Sequence, residues 1–129
     1  MTDDIDICYA RDEENLRQLA SALEELGARL RGPNLPAHLP FLLDAKTLAL
    51  GDSFTFSTRA GPLDILATPS GTRGFADLEA DAVEMRLGDI RVLVASLDAL
   101  IRMKRAAGRK KDLIEVEVLG AVRRELEER

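Results

Sequence analysis

The sequence holds a single cysteine, Cys8, and a single histidine, His38. One cysteine leaves no partner for an internal disulfide and fits a reducing compartment. A histidine and a cysteine thirty residues apart do not furnish the ligand set of a zinc site. They also give no positioned base for a cysteine nucleophile, so both are read as structural or incidental. No apolar run approaches the length of a membrane span. The N-terminus is acidic from its third residue and carries no apolar signal segment. A cytoplasmic protein with no membrane partner is therefore expected. Bulk positive charge is lacking as well: the formal net charge is -5, which argues against wholesale attraction for nucleic acid.

The 129 residues suffice for one domain with a real core and hardly for two. Hydrophobic residues at 46% and charged residues at 32% describe an ordinary globular chain. The charge is unevenly spread. Residues 1–25 carry eight acidic side chains and two arginines, whereas residues 102–111 carry Arg102, Lys104, Arg105, Arg109, Lys110 and Lys111 with no acid. A compact basic patch holds phosphates even on an acidic protein, and a solvated helix face is the alternative.

Ile5, Ile7 and Tyr9 alternate with Asp4, Asp6 and Cys8. Period two predicts a strand over about 3–9, with Ile5 and Ile7 entering the core. Asp12 is placed to cap a helix whose Leu16, Leu19, Ala20, Leu23 and Leu26 share one face, with Gly27 at its end. Pro33, Pro36 and Pro40 break regular structure, so 28–46 reads as a loop. Two strand halves, around Leu48 and Leu50 and around Phe54 and Phe56, are expected on either side of Gly51 and Asp52. A turn at 59–62 leads to a strand through Leu63, Ile65 and Ala67. A short helix follows, then a hairpin turning at Gly88 and Asp89. Ser96 caps a helix interrupted by Gly108. A last helix over about 109–127 carries Leu113, Val116, Leu119, Val122 and Leu126. No internal repeat is evident. Helices interspersed with hairpins predict an α/β or α+β sheet with packed helices.

The acids of TDDIDI need a partner. Asp4 and Asp6 are two apart on a strand and share a face, where paired carboxylates repel unless something positive sits between them. Oxygen ligands suit Mg²⁺. Asp64 intrudes into the apolar strand PLDIL, and a carboxylate there lies on an exposed face or has a partner. If its strand pairs beside the first, Asp64 joins Asp4 and Asp6 around one or two ions, a set able to hold nucleotide phosphates and activate a hydroxyl.

TDDIDI, ENLRQLASALEELGA, GPLDILA and VASLDALIRMKRAAGRKKDLIEVEVL together resemble the nucleotidyltransferase superfamily, and within it the bacterial AbiEii-like branch, small enzymes often found as toxins of toxin–antitoxin pairs. The resemblance implies an α/β (α+β) nucleotidyltransferase-like fold, a mixed β-sheet with packed helices, as a single domain over 1–129. It implies attack on the α-phosphate of a nucleoside triphosphate with release of pyrophosphate, using Mg²⁺ or Mn²⁺. Asp4 and Asp6 match the two metal-binding acids, and Asp64 the third acid that helps activate the acceptor hydroxyl. Lys104 matches the lysine of the following helix. Phosphate contacts are also assigned to Arg105 and Arg109, with Arg109 and Asp112 sharing partly structural work. The family's Gly-Gly or Gly-Ser turn and its helix, which stand upstream of D-x-D, have no counterpart here. The domain is therefore expected to be N-terminally incomplete and to bind triphosphate weakly, with a homodimer covering the exposed edge.

An RNA 3′ end, a protein hydroxyl and a small molecule all stay open as acceptors. The competing reading is a catalytically inactive nucleotidyltransferase-like domain that binds a partner protein, such as an antitoxin, or its own copy. A third is an acidic α/β scaffold with no nucleotide site.

Overall fold

The structure is a computed structural model and describes residues 5–31 and 43–128. Asp4, His38 and the prolines at 33, 36 and 40 lie outside the described residues. The elements are β1 (Ile5–Cys8), α1 (Glu13–Glu25), β2 (Arg29–Leu30), α2 (Ala45–Leu50), β3 (Ser53–Thr58), β4 (Gly61–Leu66), α3 (Phe75–Glu79), β5 (Val83–Leu87), β6 (Ile90–Val94), α4 (Leu97–Ala107) and α5 (Lys110–Glu127). The fold is mixed α/β. It divides into two compact units, one running through Thr68 and the other from Pro69.

The first unit is built on a four-stranded sheet of order β1-β4-β3-β2. β1 runs parallel to β4, and the other pairs are antiparallel. Strand side chains alternate between faces. Phe56, Leu63 and Ile65 therefore point to one face, where they join Leu16, Ala20 and Leu23 of α1 and Leu48 of α2 in the core. Phe54 and Phe56 stack with ring centroids 6.1 Å apart on that side. α1 starts where Asp12 accepts the Asn15 backbone N–H at 3.0 Å and ends at Gly27, whose φ is +63°.

Three expectations fail in this unit. The segment 28–46, read as a loop, holds the short strand β2 and the first residues of α2. Ile5 and Ile7 share the core face with Leu63 and Ile65, yet they are 65% and 39% exposed. β1 is an edge strand, and the core is centred on β3 and β4. The stretch around Leu48 and Leu50 is helix α2 rather than a strand. The Asp44 carboxylate accepts the Thr47 N–H at 2.8 Å and caps it. Period two would put Leu48 and Leu50 on one face; Leu48 is fully buried and Leu50 is 83% exposed. Gly51 then closes the turn, because a Cβ there would stand 2.4 Å from the Phe54 ring.

In the second unit α4 packs along α5. The Ser96 hydroxyl accepts the Ala99 N–H at 3.0 Å and donates to Asp81 at 2.7 Å. Leu78, Ala99 and Ile101 are its buried apolar residues. The β5–β6 hairpin pairs Val83 with Val94, Met85 with Val92 and Leu87 with Ile90, so one of its faces is wholly apolar. Most of that face is exposed. The apolar face expected of α5 is also not a core face throughout. Leu113, Val122 and Leu126 are exposed, and the fully buried residue of α5 is Asp112. Among the described residues no helix is long and apolar enough to cross a membrane.

Candidate active site

Asp6 and Asp64 are register partners across the parallel β1–β4 pair. Adjacent strands lie about 4.8 Å apart, and partners point to the same side. Both acids therefore occupy the sheet face opposite the core. Thr55 of β3 stands opposite Asp64 on the other side, and the Arg31 backbone N–H donates to the Thr55 carbonyl at 2.9 Å. One polar row thus runs from Asp6 of β1 through Asp64 of β4 and Thr55 of β3 to Arg31, the residue that follows β2. Arg31 Nη2 donates to Asp64 Oδ1 at 3.2 Å, with both side chains only partly covered. The alternation that buries Leu63 and Ile65 is what places Asp64 outward. The charge inside PLDIL is accommodated by an exposed face and a cationic partner together.

The expected three-acid set is represented here by Asp6 and Asp64. Asp4 falls outside the described residues, and among those described no group of three or more acids, histidines or cysteines is placed to hold a metal. Two carboxylates still fit the ion the sequence suggested. Mg²⁺ is commonly held by one or two carboxylates, with waters and substrate phosphates completing its octahedron.

Cys8 lies on the same face two residues beyond Asp6. Its Sγ contacts the Ala67 carbonyl at 3.7 Å. Burial, and secondarily the charge of Asp52, push its pKa up. That favours a protonated thiol, a poor nucleophile, in keeping with a structural residue.

Arg102, Lys104 and Arg109 of the basic segment are paired within their own unit. Lys104 Nζ lies 2.7 Å from Glu115 Oε2 and 3.8 Å from Asp112 Oδ1. Arg109 donates to Asp112 through Nε at 2.6 Å, through Nη2 at 3.2 Å and through its backbone N–H at 3.2 Å. These bonds hold the Asp112 carboxyl below the usual aspartate range against the opposing effect of burial. The Lys104 hydrogen bond likewise lowers the pKa of Glu115. Arg102 donates to the Gly71 carbonyl at 2.8 Å and to Asp77 at 3.2 Å. Arg105 is exposed and lines an open depression with Asp98, Ile101, Arg102, Ala106 and Arg123.

The structure thus brings Asp6 and Asp64 together, and separately gathers Lys104 and Arg109 around Asp112. Sequence reasoning missed Arg31 and Glu115. Each had a signal: Arg29 and Arg31 flank Leu30 with period two, and Glu115 follows Asp112 at the i+3 spacing of one helix face. No family model, curated protein or solved structure matches this chain.

Proposed function

We propose that the chain is a nucleotidyltransferase-like domain that transfers a nucleotidyl group from a nucleoside triphosphate to a hydroxyl acceptor with Mg²⁺ or Mn²⁺. The observation that carries this reading is the in-register pairing of Asp6 with Asp64 on the polar sheet face. It is supported by the order of TDDIDI, GPLD and MKRAAGRKKDL along the chain. Asp6 and Asp64 supply the oxygen donors, with Asp4 in the same D-x-D segment. A bound divalent ion would offset the charge of the triphosphate and sharpen the acceptor hydroxyl as a nucleophile. Asp64 orients that hydroxyl and takes up its proton. The acceptor oxygen forms a bond to the α-phosphorus as the bond from that phosphorus to the bridging oxygen breaks, and pyrophosphate leaves. An RNA 3′ end is the acceptor to try first.

The test is the initial rate of label transfer from α-labelled nucleoside triphosphates to mixed RNA, with Mg²⁺ present. Wild-type transfer that falls at least about tenfold in Asp64→Asn, about 1.4 kcal/mol of transition-state stabilisation, is the expected result. Equal rates in the two proteins would remove Asp64 from the chemistry.

The apolar face of the β5–β6 hairpin favours a second reading, an inactive nucleotidyltransferase-like domain that binds a protein. Val83, Met85, Leu87 and Ile90 are exposed there, and contiguous apolar surface marks interaction sites. A two-stranded hairpin is marginal alone in water, so a covering partner, an antitoxin or a second copy, would also stabilise it. Absence of transfer combined with a dimer in light scattering that Met85→Glu dissociates would favour this reading.

A further inference from the structure

Arg31 is the cation of the polar row. Its backbone is fixed against β3 by the hydrogen bond to Thr55. Its guanidinium nevertheless reaches Asp64 on the next strand, 3.2 Å from Oδ1. Two strand spacings, about 10 Å, separate the strand axes, so the stem extends across β3. The ion pair keeps 37% and 28% of its side chains exposed. Such a pair is weakly held and exchangeable, unlike a buried one. A divalent ion gripping both Asp6 and Asp64 competes for the same Asp64 oxygens and carries twice the charge. Once displaced, the guanidinium remains tethered beside the carboxylates. Its planar fork matches phosphate oxygens, which any nucleotide bound through the ion would present there.

Resting on the metal-site reading above, we propose that Arg31 is a displaceable counter-cation, which holds Asp64 in the metal-free chain and transfers to the phosphates of a metal-bound nucleoside triphosphate. The pair then has a neutralising partner in both states. In the free chain Asp64 keeps a cationic partner beside Asp6, and the loaded chain gains a phosphate ligand from the same residue.

The test uses the full chain and two titrations, Mn²⁺ alone by electron paramagnetic resonance and ATP at saturating Mn²⁺ by calorimetry. Arg31→Gln should bind Mn²⁺ about threefold or more tighter than wild type and bind ATP about tenfold weaker. Arg31→Lys, which keeps the charge but not the fork, should restore wild-type Mn²⁺ affinity and only part of the ATP affinity. Circular dichroism melting checks that both variants fold; if Arg31→Gln does not, the Arg31→Lys titrations decide. Mn²⁺ binding that is lost in Asp64→Asn yet unchanged or weaker in Arg31→Gln would overturn the role of Arg31 and leave the metal site standing. Unaltered ATP affinity in Arg31→Gln would overturn the transfer to phosphate, as would wild-type ATP affinity in Arg31→Lys. Mn²⁺ binding by neither wild type nor Arg31→Gln, or binding indifferent to Asp64→Asn, would overturn the metal site and the proposal together.

Discussion

Lys104 of α4 and Glu115 of α5 are joined by an ion pair of 2.7 Å, with Asp112 at 3.8 Å from the same ammonium. Lys104, which the sequence nominated for phosphate, links two packed helices through this pair. Lys104→Met keeps the stem but leaves Glu115 and Asp112 short of a cation. The melting temperature is expected to fall by about 3 °C. Glu115→Gln alone should produce a similar drop, and the double variant should lose less than the two added together. Thermal denaturation of the four proteins checks this. A Lys104→Met protein as stable as wild type would return Lys104 to the solvent.

Asp112 is a fully buried charge of the second unit, and the Arg109 hydrogen bonds hold its carboxyl below the ordinary aspartate value. A carboxyl with a folded-state pKa below its unfolded value stabilises the fold when ionised. That contribution is complete above the ordinary aspartate value of 3.8. It is lost as the pH falls below that value and through the lower folded one. Asp112→Asn should therefore melt below wild type at pH 7, with the gap narrowing as the pH falls below about 4. Melting curves from pH 7 to pH 2 measure the gap. A gap independent of pH would mean that shape rather than charge makes Asp112 matter.

Gly71 has a φ of +81°, and a Cβ there would stand 2.9 Å from the Arg102 carbonyl oxygen and 2.8 Å from the Ala106 Cβ. Gly88 has a φ of +63° with nothing near its missing Cβ. Both resist a side chain through backbone strain, but only Gly71 adds a collision with α4. Gly88→Ala should cost about 1 kcal/mol and Gly71→Ala about 3 kcal/mol or more. Urea titration of the two variants separates the contributions. Equal losses would show that α4 yields to the added methyl.

Local chemistry was legible wherever a side chain acts on its own backbone. Asp12 and Ser96 cap their helices as their positions imply, and Gly27 and Gly108 end α1 and α4 with positive φ. The hairpin at Gly88 and Asp89 follows from two alternating runs around a turn pair. The pairing of Asp6 with Asp64 rested on a charge interrupting an apolar strand. Tertiary placement was less legible. Alternation assigns Ile5 and Ile7 a face but does not say that β1 lies at the edge, where that face is thinly covered. The spacing of Leu48 and Leu50 suggested period two, but the Asp44 cap and the opposite burial of the two leucines settle the run as helix. Asp112 was grouped with Arg109 from the sequence, but its complete burial was not legible because it depends on Arg109 satisfying it; Arg31 was hidden because its partner lies 33 residues away.

The most direct test of the account is the divalent-ion affinity of the paired carboxylates. Calorimetric titration of Mn²⁺ into wild type, Asp6→Asn and Asp64→Asn at neutral pH should show one saturable binding event in wild type. That event should weaken at least about tenfold in each variant, a loss of about 1.4 kcal/mol or more, while both variants melt within a few degrees of wild type. Mn²⁺ affinity unchanged by either substitution would contradict it.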